Sequence, residues 1–442
     1  MIRPTRPLIR STLFALALLA TSARGLDALD TIVDSAAVAP GLGYARYEEP
    51  GIVAHVLTLD LKSAVLKVRS VKAKGKETLG ELSERLGDPD TRVLAGINGD
   101  FFRQSTDAGL PYGVQVSDGR LIFGPMNRSM IGFGPNNEPF LGIATLKAKV
   151  SFAAREDRAK ETWYRIDDVN EIEQEDKRRT GIYLYTPAFL GLNVNRPKGT
   201  IAVIEKIEPA LQVGDVCEGL VARVETSDTP VDVPAGGCLL YFFGDAHRAV
   251  AAALKPGRPV ALKLDLPPVA TGIAQAIGGG PRLVRDGKVS VELQKESFEP
   301  AHAMEISKRH PRSAIGFDKA KQTLFLVMVE GRHEKSRGMT FGELATFLTK
   351  LGCWQAMAFD GGGSAGMFVA ERGIVSQSMG AKNQPEERAL ANAFFITTPR
   401  ATPSPAGTTA PPPPPSIPPT VPPVAPPAIP PVAPTEPRAP GK

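Results

Sequence analysis

"RSMIGF" (Arg128–Phe133) and "RSAIGF" (Arg312–Phe317) are one short strand written twice in the same chain. Each copy follows a hairpin signature, "GVQVSDGRLI" (Gly113–Ile122) in the first case and "GPRLVRDGKV" (Gly280–Val289) in the second. Asp-Gly suits the tight hairpin turn because both central residues there need positive φ. Two related β units are therefore expected, separated by an inserted β segment from about Lys147 to Pro268. "IGGG" precedes the second copy and "FDGGGS" follows further on, which places the expected chemistry mainly in that copy.

The flanking sequence keeps the same β character. "GIVAHVLTLDL" (Gly51–Leu61) and "AVLKVRSV" (Ala64–Val71) alternate apolar and polar residues at period two. "GTIAVIEKI", "GCLLYFF" and "RPVALKLDL" are β-prone runs punctuated by Gly and Pro. Helices are fewer: "TLGELSERLG" and "TFGELATFLTKLG" open on Thr with Glu three residues later and close on Gly. The charged stretch Arg155–Arg179 reads as a surface excursion. Many strands, few helices and no βαβ alternation predict an α+β fold, β-rich with mixed sheets and a few packed helices.

Both ends differ from this body. Arg3, Arg6 and Arg10 precede the apolar "TLFALALLA" and the small residues of "TSARG", the pattern of a signal peptide over residues 1–25. The apolar run is too short for a transmembrane span. A periplasmic or secreted protein is expected. From residue 401 the chain turns proline-rich, with 18 of its 41 prolines. Such a tail buries little and reads as a disordered, extended spacer, with the cell wall as a possible contact. The folded unit is then residues 26–400. Removing the leader takes four arginines and lowers the formal charge from +5 to about +1. With no basic stripe interleaved with aromatics, nucleic acid is not an expected partner.

Cysteines and histidines are sparse. Cys217 and Cys238 lie in one β-rich stretch and could pair in an oxidising compartment, whereas Cys353 reads as a buried apolar residue. With five histidines and no H-E-x-x-H, zinc is not expected. No cofactor is expected, although a carboxylate-bound Ca²⁺ or Mg²⁺ stays compatible with the acids. No P-loop or dinucleotide fingerprint occurs.

Several polar residues follow apolar runs at glycine-rich turns: Asn98 and Asp100 in "GINGDFF", Gly279 in "AIGGGPRLV", His310 and Arg312 in "RHPRSAIGF", and Asp360, Gly362 and Ser364 in "FDGGGS". Asn383 and Arg388 precede the final strand. Glycine-rich turns expose backbone N–H groups that form anion sites, and arginines hold phosphate bidentately. Two carboxylates are the pair that glycosyl transfer to water requires. Together they suit a sugar linked through phosphate. Ser364 lacks the nucleophile-elbow context and reads as a hydrogen-bonding residue.

The ordered set "NGDFF", "GGGPRLV-x-DGK", "HPRSAIG", "V-x-GR…S-x-GMTFGELA", "FDGGGS" and "N…ER-x-x-x-NAFF", from Arg92 to Thr398, resembles the phosphodiester glycosidase family. The resemblance implies hydrolysis of a sugar-1-phosphodiester, with a phosphate-linked glycan or small sugar phosphodiester as substrate. It implies site residues at Asn98, Asp100, Gly279, Arg312, Asp360, Ser364, Asn383 and Arg388. The chain departs from the family's Asp-Gly-Arg in reading Glu330-Gly331-Arg332. On this basis Asp360 and Asp100 are the expected catalytic pair. Arg312, Arg388 and the N–H groups of Gly279 and Gly362 are the expected phosphate binders. The alternative is a non-catalytic wall- or exopolysaccharide-binding protein on the same fold.

Overall fold

Three antiparallel strands, β1 (Ile32–Ala39), β2 (Leu42–Glu49) and β3 (Ile52–Asp60), open the fold. The alternation in β3 predicts one buried face, yet Ile52–Leu57 are all buried. Both faces of its sheet are covered: Leu57 and Leu59 point to one core cluster, Ala54 and Val56 to another. The computed structural model describes residues 31–105, 107–153, 162–170, 180–188, 193–194, 199–226, 230–268, 272–380 and 384–400. The expected leader and proline-rich tail lie outside these residues. No helix among them is long and apolar enough to cross a membrane.

β4 (Lys67–Glu77), α1 (Leu79–Leu86) and β5 (Thr91–Asn98) follow. Thr78 and Glu81 form the expected reciprocal capping box of α1. Gly87 ends the helix with φ of −71°, so this glycine does not use the left-handed region that closing glycines commonly adopt. Leu79 and Leu82 pack α1 onto β4 and the last strand.

The first motif copy builds β6 (Gln115–Ser117), β7 (Arg120–Phe123), β8 (Ser129–Phe133) and β9 (Pro139–Ile143). Next comes an eight-stranded sheet formed between Lys147 and Asp265, with α2 (Asp245–Ala252). The remaining elements are β10 (Gln275–Gly278), β11 (Arg282–Arg285), β12 (Lys288–Val289), α3 (Pro300–Ile306), β13 (Arg312–Phe317) and β14 (Thr323–Val329). α4 (Phe341–Lys350), β15 (Gln355–Ala358), β16 (Met367–Val369), β17 (Gly373–Ile374) and β18 (Leu390–Pro399) complete the chain. α4 carries the second predicted capping box, Thr340 with Glu343, and its buried Leu344, Phe347 and Leu348 cover one face of the first sheet.

Both Asp-Gly hairpins form as expected, with φ of 50° and 77° at Asp118 and Gly119 and of 52° and 72° at Asp286 and Gly287. The strand orders around them run in parallel. One sheet reads β7-β6-β10-β8-β9, and the large sheet ends …β14-β13-β15-β11-β12. In each, a strand from elsewhere lies between the hairpin and the Arg-Ser-x-Ile-Gly-Phe strand. The registers coincide as well: Gln275 faces Phe133 and Ala276 faces Gly132, while Gln355 faces Phe317 and Ala356 faces Gly316. Each inserted strand then runs into a glycine-rich turn. A third sheet, β17-β16-β5-β18-β4, packs against the large one through Ile97, Met367, Phe394 and Ile396.

Two expectations change. Within Arg155–Arg179, Tyr164–Ile166 and Asp168–Val169 are strands of the inserted sheet, not a surface excursion. Tyr164 and Ile166 pack on the apolar core of that sheet, which outweighs the local charge. The other concerns the disulfide that Cys217 and Cys238 could have formed: both are free and buried, while Cys353 is buried as expected. Burial pushes the Cys217 thiol up to about 12 and the other two well above their usual range.

Candidate active site

Asn98 ends β5 and is completely buried. Its amide donates to the Asp360 carbonyl at 2.7 Å, and its side-chain oxygen accepts from Ser313 Oγ at 2.6 Å and Gly366 N at 3.1 Å. One side chain thus joins the "NGD", "RSAIG" and "DGGGS" segments. This corrects its expected place among the substrate ligands: Asn98 holds the loops from behind.

The same convergence brings the two acids together. The Asp360 N–H donates to the Gly99 carbonyl at 2.9 Å, beside Asp100. Asp100 is 3% exposed, and its Oδ2 accepts from Gly113 N at 2.5 Å. Its Oδ1 has no hydrogen-bond partner among the described residues. Burial raises the Asp100 carboxyl to about 7, against the opposing pull of Arg128. Asp360 is raised to about 6, again by burial, with the Ser364 hydroxyl and Arg388 pulling it down.

Asp360 opens onto a cleft of ≈ 420 Å³ that is also lined by Arg312, Arg332, Arg388, His310 and His302. The three arginines are not equivalent. Arg312 donates Nε to the Met339 carbonyl at 2.8 Å and Nη2 to the Ile306 carbonyl at 2.7 Å and to that of Lys308. Its guanidinium also lies 4.0 Å over the Phe341 ring. Arg312 therefore latches the end of α3 to the body, and only part of its fork is left for the cleft. Burial and the like charge of Arg332 lower its pKa to about 9. Arg388 reaches Ser364 Oγ at 3.3 Å.

Arg332 is a site residue that the sequence reading missed. The turn that carries it has φ of 66° at Arg332 itself. Its Nη2 lies 3.1 Å from His310 Nδ1, while His310 Nε2 lies 3.0 Å from the Glu305 carbonyl. A carbonyl can only accept, so Nε2 carries the proton and Nδ1 accepts from the arginine. Burial and the nearby Arg312 and Arg332 favour this neutral ring. His310 lines the cleft, yet both its nitrogens are occupied in positioning other groups. The longer Glu330 sits away from the cleft, with Oε1 2.9 Å from His55 Nε2 and 2.8 Å from Gln377 N.

Arg128 was missed as well, because chemistry was assigned mainly to the second motif copy. It occupies the position in the first copy that Arg312 occupies in the second. Arg128 is 7% exposed, donates Nε to the Ser297 carbonyl at 3.0 Å, and lies 4.0 Å over the Phe298 ring. Its charge acts on both Asp100 and Asp360. The repeated Arg-Ser was the available signal.

The two glycines expected to offer N–H groups do not. Gly279 N donates to the Ser129 carbonyl at 3.0 Å, and Gly362 N to the Pro311 carbonyl at 2.9 Å. Backbone pairing uses the donors that an anion would need. Gly279 serves instead as a close-approach point: a Cβ there would lie 2.5 Å from the Ala358 carbonyl and 2.7 Å from Met357 Cε. Gly279→Ala is expected to destabilise the protein by roughly 1–3 kcal/mol, read as a lower urea midpoint. Asn383 lies outside the described residues. Among those residues no three His, Cys, Asp or Glu side chains converge as a metal site.

The fold and the cleft define a β-rich α+β protein with paired buried carboxyls and an arginine rim. Residues 218–397 match the phosphodiester glycosidase family. Asn98 and Asp100 fall outside the matched span. An uncharacterized SPbeta prophage-derived protein of Bacillus subtilis, YomE, is 33% identical over 95 residues, covering 22% of this chain and 14% of that one. The chain thus spans a small part of that relative's length. A hypothetical protein from Synechocystis has a TM-score of 0.63 at 19% identity, over 83% of this chain and 64% of the other. A protein of Burkholderia pseudomallei described as exported has a TM-score of 0.58 at 18% identity, over 79% and 74%. Both likenesses speak to the fold.

Proposed function

We propose that the protein is an exported hydrolase that cleaves a sugar-1-phosphodiester at the sugar C1–O bond. Water supplies hydroxyl to C1 and a proton to the departing phosphate, so the products are a free sugar and a phosphomonoester. The observation that carries this reading is the pair of buried carboxyls, Asp360 lining an arginine-rimmed cleft and Asp100 held beside it. Export rests on the basic and apolar leader at residues 1–25. The shared strand order and register support reading the two motif copies as related units of one domain, residues 26–400.

In this mechanism Arg388 and Arg332 bind the phosphodiester, and His310 holds Arg332 toward it. Asp360, which lines the cleft and has the lower pKa, acts as nucleophile or base at C1. Asp100, about half protonated at pH 7 and more so below it, serves as the acid partner. A phosphate leaving group is weakly basic, so the carboxylate at C1 matters more than acid assistance.

The test incubates the purified protein with a panel of sugar-1-phosphodiesters and assays free sugar and phosphomonoester. Turnover that yields both products supports the reading. A folded protein that binds anionic glycans without turnover makes it a binding module instead. Arg388→Ala is expected to raise KM by roughly tenfold or more, the worth of one hydrogen bond to a charged group. An unchanged KM would remove Arg388 from the phosphate site.

A further inference from the structure

A concavity larger than the cleft lies elsewhere. A groove of ≈ 590 Å³ runs between β4, the end of α1, the β6–β7 hairpin and the inserted segment. Arg69, Lys72, Arg85 and Arg120 line it, with Asp118 and Gln212. Asp118 compensates Arg69, at 3.0 Å. Glu77, beside the groove, holds Arg85 in a forked pair at 2.8 and 2.7 Å. Of these four cations, Arg69 and Arg85 face carboxylates and Lys72 donates to the Ala73 carbonyl at 2.7 Å, all among the described residues. Arg120 is exposed and has no partner among them, and Arg69 Nε is buried without a hydrogen bond.

A buried amide network backs the groove at Ser70 and Asp118. Gln275 accepts from Ser70 N at 3.0 Å and donates to Asp118 at 2.8 Å. Gln115 donates to Ser70 Oγ at 3.1 Å and accepts from Asn392 at 3.1 Å, and Asn392 in turn accepts from Asp100 N at 2.9 Å. These amides are all buried, so the basic wall is fixed to the same framework as Asp100. Burial lowers the Lys72 ammonium to about 8, which leaves it mostly protonated at neutral pH.

We propose that this groove binds the phosphate-bearing segment of an anionic glycan, at a site separate from the carboxylate cleft. Among the described residues no aromatic side chain lines it. A single-stranded nucleic acid would want rings on which to stack its bases, whereas a flexible polyol or sugar phosphate needs only the charges. The planar forks of Arg69 and Arg120 suit phosphate oxygens. Since the readout is binding, the assignment stands or falls apart from the hydrolytic reading.

The test is calorimetric titration of the full chain with inorganic tripolyphosphate at low and at 0.15 M salt, starting from Arg388→Ala to weaken the cleft. Binding is expected in that background, weaker in salt. Adding Arg69→Gln and Arg120→Glu, both on exposed or half-exposed side chains, is expected to weaken it by roughly tenfold or more. Absence of binding at low salt, or binding unmoved by the two groove substitutions, overturns the proposal. Competition separates the sources: poly(glycerol phosphate) is expected to displace the probe better than an oligouronate or a single-stranded oligonucleotide. Preference for either of the latter overturns the phosphate-glycan assignment.

Discussion

Asp360→Asn is expected to reduce kcat on the true substrate by about 10³-fold or more while the protein stays folded. Asparagine keeps the shape and can still accept from Gly361 N, which lies 2.9 Å from Asp360 Oδ1. It cannot supply a charge at C1. The parent enzyme is expected to show a bell-shaped pH profile in kcat/KM. Its acid limb falls near pH 6, as Asp360 must ionise, and its alkaline limb near pH 7, as Asp100 must keep its proton. The two acids interact, so the limbs report the pair. Full activity in the variant, or a profile flat between pH 5 and 8, would remove this pair from the chemistry.

Asp100→Asn is expected to stabilise the protein at alkaline pH. The folded Asp100 carboxyl sits at about 7 and its ordinary value is 3.8. Below pH 3.8 both states are protonated and the acid costs nothing. As pH rises from there to about 7, the unfolded chain ionises first and stability drains away. The loss is on the order of 4 kcal/mol at pH 8, since a tenfold difference in proton affinity between the folded and unfolded chain is worth about 1.4 kcal/mol. Removing the charge should return a few kcal/mol, seen as a Tm several degrees higher at pH 8. At pH 4 the two proteins should melt together. Activity should fall, the usual exchange where a site holds a group against its own preference. A variant that melts lower than the parent at pH 8 would mean that Asp100 is stabilised by contacts rather than strained by burial.

These expectations draw on residues of unequal legibility. Thr78 with Glu81, Thr340 with Glu343, and the Asp118-Gly119 and Asp286-Gly287 turns could be read directly, because caps and hairpin turns depend on neighbours within a few residues. The two Arg-Ser-x-Ile-Gly-Phe strands were legible for the same reason. Asp100 and Asp360 were legible as a pair only through the order of the motifs around them.

Tertiary packing decided what each polar group is free to do. Asn98, His310 and the N–H groups of Gly279 and Gly362 look available in the sequence, but partners from other parts of the fold occupy them. Arg332 and Arg128 gained their places from a positive-φ turn and from a strand that the sequence reading treated as scaffold. Burial is the main cause that moved the two carboxyls toward neutrality, and burial is a property of the assembled layers. Sequence by itself therefore determined the β-rich class, the helix ends, the hairpins and the candidate acids, all set by short-range chemistry. The assignment of roles waited on the tertiary structure, since hydrogen-bond satisfaction and desolvation depend on residues brought together from separate parts of the chain.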